Sequence, residues 1–179
     1  TQNLLDETLV VVTADHGEML GEEDALGRRR MGHHAMNEHL SIVPLVVAHP
    51  DVQHGNVDEY VSLKDLFGLF LDPSREGTVS IDSLLRDEEV LCEYPALGDE
   101  RMYEEHPEVS DEAIAQRVSQ DSVSAHSDGW HIVANSEGDR VAEHNGEKSG
   151  IEEAPEELVE LAESSLNELS KLNKKDIDD

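Results

Sequence analysis

Leu9 to Thr13 (LVVVT) is the most strand-like run near the start of the chain, with charge before it and Gly17 after it. A short, continuous β-branched run of this kind predicts a buried parallel strand. Residues 18–31 are polar and predict a loop with a helical turn. Ser41 to Ala48 (SIVPLVVA) predicts a second strand, and Pro44 within it must lie at a strand start, a bulge or an edge, because proline cannot donate to a ladder. The stretch HPDVQHGNV is rich in turn residues. In Ser62 to Leu71 (SLKDLFGLFL) the apolar positions 63, 66, 67, 70 and 71 have helical spacing, Ser62 with Asp65 resembles a capping box, and Asp72-Pro73 ends the helix. Glu89 to Glu93 predicts a third strand. Residues 99–121 are charged and weakly patterned, an excursion with helical turns. Gly129 to Ala134 and Asp139 to Glu143 predict a hairpin around Ser136-Glu137-Gly138. Residues 155–172 form an amphipathic helix, with Pro155, Glu156 and Glu157 at its start and Lys171, Lys174 and Lys175 toward its end.

The order of elements predicts an α/β fold: residues 1–95 as part of a core sheet with helices, and residues 96–179 as a smaller α+β subdomain of short antiparallel strands and a terminal helix.

Charge changes how the surface is read. Among 179 residues, 42 Asp and Glu stand against 13 Lys and Arg, a formal net charge of -29. Disorder is one reading of such a chain. Here the acid is interleaved with apolar runs, which favours a folded protein carpeted with carboxylates, as in salt-loving organisms where dense ions screen the self-repulsion. Such a surface repels phosphate and argues against a nucleic-acid partner. The lone Cys92 excludes an internal disulfide and reads as a buried strand thiol. No run approaches the ~20 apolar residues of a membrane span. No targeting segment is visible, and a cytoplasmic setting is the expectation. Opening on Thr1 rather than Met suggests a piece of a longer chain or a processed one.

The candidate chemistry lies at the end of the first strand. Asp15 supplies a hard oxygen and His16 a borderline nitrogen, and ligands of open α/β sheets bind beyond the carboxyl ends of strands. Gly17 would let the backbone turn so that both side chains face one point. The competing reading makes Asp15 a helix cap and His16 an exposed residue. Arg28-Arg29-Arg30, the only basic cluster, is either a guide for an anion or a solvated loop. His39, His49, His54, His106, His126 and His144 read as surface or packing residues.

An ordered series adds context: V-V-V-T-A-D-H-G-E, Gly21-Glu22, Gly32-His33 and Val43-Pro44-Leu45. It resembles the C-terminal part of the sulfatase family in the alkaline phosphatase superfamily. The resemblance implies that Asp15 and His16 are ligands of a catalytic divalent metal, with Ca²⁺ expected and Mn²⁺ or Zn²⁺ also suited to a site containing His16. It implies that His33 is a catalytic residue and that His33 and His34 bind substrate. The helix at 62–71 is similar to a family helix in which Pro-Thr stands where this chain has Phe67-Gly68. Ala125 to Ala134 is similar to a family strand, with Trp130-His131 in place of Tyr-Lys. Glu23 stands where the family often has His. The nucleophile motif C-x-P-S-R or S-x-P-x-R is absent, and Cys92-Glu93-Tyr94-Pro95 does not match it. The implied activity is metal-assisted hydrolysis of a sulfate ester, on a small molecule or a glycan. The formylglycine nucleophile would be contributed by sequence outside these residues. Phosphodiesterase, phosphonate hydrolase or phosphoryl-transfer chemistry of the same superfamily is the near alternative. A non-catalytic acidic binding module is the distant one. The sequence carries no signal of an oligomeric state.

Overall fold

Alternation of small apolar and polar residues over 122–149 builds the main sheet. The computed structural model describes residues 4–24, 27, 29–32, 36–71, 81, 84–85, 89–96 and 120–177. Residues 97–119, which contain most of the expected charged excursion, lie outside this set. Five strands run as an antiparallel meander: β5 (Val90–Tyr94), β6 (Ser122–Ser127), β7 (Trp130–Asn135), β8 (Arg140–His144) and β9 (Glu147–Ser149). Asp128 and Gly129 close the β6–β7 hairpin, and Asn145 and Gly146 close β8–β9. All four have positive φ, as the tight two-residue turns that match strand twist require. Ala125 to Ala134, similar to a single family strand, is therefore divided between β6 and β7 at Asp128-Gly129, and β7 matches the strand expected from Gly129 to Ala134. The β7–β8 hairpin forms as expected.

The register fixes two faces. Val123 pairs with Ala134, Ala125 with Ile132, and Ile132 with Ala142, so all five side chains share one face. That face is covered by the terminal helix, α3 (Glu156–Ile177), through Leu158, Ala162, Leu166 and Leu169. Helical spacing and burial agree with the sequence reading there. Ser165 donates to Glu93, and Ser170 donates to Asp121 at 2.8 Å, tying the helix to the sheet. The opposite face carries Cys92, Ser124, His126, His131 and Glu143.

That second face lies against the first part of the chain. Its elements are β1 (Val10–Val12), β2 (Met19–Glu23), β3 (Arg29–Gly32), α1 (Glu38–Ser41), β4 (Val46–Ala48) and α2 (Leu66–Leu71), the last preceded by a 3-10 turn over Leu63–Asp65. Four expectations change here. First, β1 is not a buried parallel strand: it pairs antiparallel with β4 in a two-stranded ribbon. Leu9, Val11 and Leu45 pack on the cluster of Leu66, Leu69 and Leu84, while Val12 and Val46 stay 59% and 55% exposed. A ribbon covered on one side buries only alternate residues, whereas a continuous apolar run suits cover on both. Second, residues 18–31 are not a loop: β2 and β3 pair as an antiparallel hairpin, and it takes in Arg29 and Arg30. Third, Ser62 makes no side-chain cap bond, so no capping box forms. Fourth, α2 buries Leu66 and Leu69 and exposes Phe67 and Phe70, which lie on the adjacent row about 100° round the helix.

Pro44 sits just before β4, which meets the strand-start expectation. The architecture is thus mixed α and β, and every described strand pairing is antiparallel. Among the described residues no helix is long and apolar enough to cross a membrane.

Candidate functional site

Asp15, His16 and Gly17 follow the carboxyl end of β1. Gly17 N–H donates to the Leu40 carbonyl at 2.9 Å, which pins this turn against α1. A Cβ at Gly17 would lie 1.9 Å from the His39 carbonyl oxygen. Glycine is required for this close approach rather than for a left-handed turn, since Gly17 is not among the residues of positive φ. Helix α1 is capped by buried Asn37, whose side-chain oxygen accepts from His39 N–H at 2.8 Å. The Asn37 amide also donates to the Glu23 carbonyl, linking α1 to β2.

His16 Nδ1–H donates to the Gly17 carbonyl at 2.7 Å, and Nε2 lies 3.9 Å from an Asp15 carboxylate oxygen. The Asp15 side chain is 90% exposed and that of His16 50%. The Gly17 carbonyl, followed by the Asp15 charge, raises the His16 pKa above its ordinary value. One nitrogen held by a backbone carbonyl and the other facing a carboxylate is how metal-binding imidazoles are oriented. Asp15 does not cap a described helix. Its carboxylate accepts from His16 N–H at 3.0 Å in a local turn.

Both residues line a cavity of about 750 Å³. Its walls come from the segment around Ser41 to Leu45, from residues 57–64, from β5 and from His126. The cavity therefore lies between the Asp15-His16 turn and the polar face of the five-stranded sheet. Cys92, on its β5 wall, is half-buried, and burial pushes its thiol up, so it is a poor nucleophile. His33 and His34, the expected substrate residues, lie outside the described residues, as does Arg28.

The polar sheet face holds groups that sequence reasoning did not assemble. His126 Nε2 meets the hydroxyls of Ser124 at 2.8 Å and Ser41 at 3.3 Å. Its ring stacks on His131 with centroids 4.5 Å apart, and Tyr60 lies 5.3 Å away. Burial, then the neighbouring His131, pushes the His126 pKa down to about 3 and keeps the ring neutral. His126 is thus a buried, neutral ring on the wall of the cavity. His131 was noted only as a substitution in a strand. It pairs directly with Glu143 across β7 and β8, Nδ1 to carboxylate 3.2 Å. That bond, ahead of burial, holds the Glu143 carboxyl below its ordinary range. With Glu38 these two make a group of three side chains able to hold a metal ion, one donor atom from each lying within 4.8 Å of the others. A signal for part of it was present: a hairpin centred on Glu137 places residue 131 opposite residue 143. Nothing local points to Glu38.

Comparison with known proteins bears on the first part of the chain. Residues 1–73 match the family model described as Sulfatase. A Rhizobium meliloti (strain 1021) protein named choline-sulfatase is 32% identical over 106 residues, covering 52% of this chain and 20% of that protein. The chain thus spans about a fifth of the length of the curated relative it matches. The strand-end Asp15-His16 pair, the glycine that seats it on α1 and the later Val43-Pro44-Leu45 all fall inside the matched stretch, so the similarity of residues 1–73 to the sulfatase family covers the candidate site.

Proposed function

We propose that this chain contributes part of a sulfatase-type site and that the whole protein hydrolyses a sulfate ester. The observation that supports this reading best is the position of Asp15 and His16, side by side on the cavity with His16 oriented by the Gly17 carbonyl. Their donors suit a divalent cation, Ca²⁺ first, with Mn²⁺ and Zn²⁺ accommodated by the imidazole. When bound, that cation would neutralise the charged oxygens of the ester. Asp15 and His16 hold it. His33 is assigned to the transferred sulfate as catalytic residue, and His34 beside it to substrate binding, both on the family resemblance. No residue of this chain is assigned as nucleophile; a formylglycine from sequence beyond these 179 residues takes that role.

The alcohol portion of the substrate would occupy the cavity. Asp58, Glu59, Tyr60 and Tyr94 line it, which suits a cationic alcohol through carboxylate charge and aromatic faces. The name of the Rhizobium relative points to the same substrate class. The dense carboxylate surface is assigned to function at high salt.

The test compares two proteins in molar KCl with Ca²⁺ or Mn²⁺: the 179-residue chain, and the chain joined to the coding sequence that precedes Thr1. Aryl sulfate and aryl phosphate are the substrates. The chain alone should release neither product. The longer protein should release sulfate, and Asp15→Asn should lower that rate by about a hundredfold or more. Phosphate release without sulfate release would replace this reading with phosphoryl transfer. Sulfate release by the 179 residues alone would overturn the nucleophile assignment.

A further inference from the structure

We propose that Glu38, His131 and Glu143 form a second divalent-cation site, of the Zn²⁺ or Mn²⁺ class, that fastens α1 to the five-stranded sheet. One donor atom from each lies within 4.8 Å of the other two. His131 Nδ1 is engaged with the Glu143 carboxylate at 3.2 Å, which leaves Nε2 as the ring nitrogen that offers a lone pair to an ion. Glu38 supplies the third donor, within 4.8 Å of the other two. One imidazole and two carboxylates match the preferences of Zn²⁺ and Mn²⁺ better than the all-oxygen preference of Ca²⁺.

A second observation points to a ligand. His131 is 4% exposed, and its Nε2 has no hydrogen-bond partner among the described residues. A buried imidazole that packs for structure alone normally satisfies both nitrogens. His126, stacked on it, has the same deficit at Nδ1. Two neighbouring orphaned nitrogens beside two carboxylates describe a polar centre that is incompletely paired. Lys148 and His39 also act electrostatically on Glu143.

The position gives the site a role. Glu38 opens α1, and Leu40 of the same helix accepts the bond from Gly17. Ser41, at its end, meets His126. A cation gripping Glu38 from β7 and β8 would therefore hold the helix on which the Asp15-His16-Gly17 turn rests. The new site is a structural clamp one layer behind that pair and uses none of its donors.

The test is a titration of the 179-residue chain with Zn²⁺ and with Mn²⁺, followed by calorimetry and by fluorescence of Trp130, the sole tryptophan and the neighbour of His131. One bound ion should change Trp130 emission, separately from any ion held weakly at Asp15 and His16. Glu38→Gln should weaken the binding at least about tenfold and remove the emission change while leaving far-UV circular dichroism intact. Glu143→Gln should do the same, and Asp15→Asn should retain both signals. Binding unchanged in Glu38→Gln would overturn the proposal. So would loss of the Trp130 response in Asp15→Asn with retention in Glu38→Gln, which would assign the ion to the first pair. Failure of sulfate hydrolysis would leave this result standing, because no catalytic step is read.

Discussion

Replacing Gly17 with alanine isolates the contact that seats the candidate site. The new Cβ would lie 1.9 Å from the His39 carbonyl oxygen, 2.9 Å from its carbon and 3.3 Å from the Leu40 Cα. All three are backbone atoms, so no side chain can rotate away. Opening the oxygen contact from 1.9 to 3.0 Å, the closest approach real Cβ atoms make, needs a displacement of 1.1 Å. That shift lengthens the 2.9 Å bond from Gly17 N–H to the Leu40 carbonyl beyond a useful distance. A lost hydrogen bond is worth about 1 kcal/mol. Forced backbone movement in a packed region costs about 1–3 kcal/mol. Gly17→Ala should therefore destabilise by about 2–4 kcal/mol, a large fraction of the ~5–15 kcal/mol that holds a typical domain. Urea unfolding followed by circular dichroism measures this, with Gly55→Ala as control. Nothing lies within 4 Å of a Cβ at Gly55, and its φ is not positive, so that variant should be neutral or slightly stabilising. If Gly17→Ala matched Gly55→Ala to within about 0.5 kcal/mol, the claim that α1 positions the Asp15-His16 turn would fail.

Three further outcomes can be checked on the same chain. Gly68 lies within α2, and nothing stands within 4 Å of a Cβ there, so Gly68→Ala should raise stability by about 0.5–1 kcal/mol through helix propensity, read from the urea midpoint. Leu158→Ala removes a side chain 1% exposed from the helix–sheet core and should cost about 2–5 kcal/mol by the same measurement. Burial raises the pKa of Cys92, Tyr94 and Tyr60 above their ordinary values of 9.0, 10.0 and 10.0. The native state then keeps protons that the unfolded state releases. Stability should be intact below pH 8 and fall as pH rises past 9, and a urea midpoint constant to pH 11 would contradict it.

The second half of the fold was more legible than the first, and the reason is local. Around β7 and β8, alternation, turn residues and helical spacing agree, and the hairpin and α3 appear where expected. Asp128-Gly129 and Asn145-Gly146 were equally local signals for the two flanking turns. In the first half the elements are short and depend on cover. Leu9 to Thr13 has the composition of a strand buried on both faces, yet in this chain β1 has one neighbour, β4, and one covered side. Phe67 and Phe70 fit the apolar helix stripe but point outward, because the core covers only the row of Leu66 and Leu69. Composition says which faces would bury; it does not say what arrives to cover them.

The same limit explains why one pair was visible and the other was not. Asp15 and His16 are adjacent in sequence, so residue type and strand position suffice to single them out. Glu38, His131 and Glu143 meet only after two independent arrangements are set, the β7–β8 register and the docking of α1. Strand alternation is normally read as apolar inward and polar outward. In β6 and β7 the apolar half packs on α3, but the polar half, Ser124, His126 and His131, is also buried, because α1 and residues 57–64 cover it. Burial of that polar half must be offset by partners. Ser41 supplies one for His126, and Glu143 one for His131. Nδ1 of His126 and Nε2 of His131 are left without partners among the described residues. A sheet face that is polar, covered and incompletely paired is where ligand chemistry is expected, and here it backs directly onto the turn that carries Asp15 and His16.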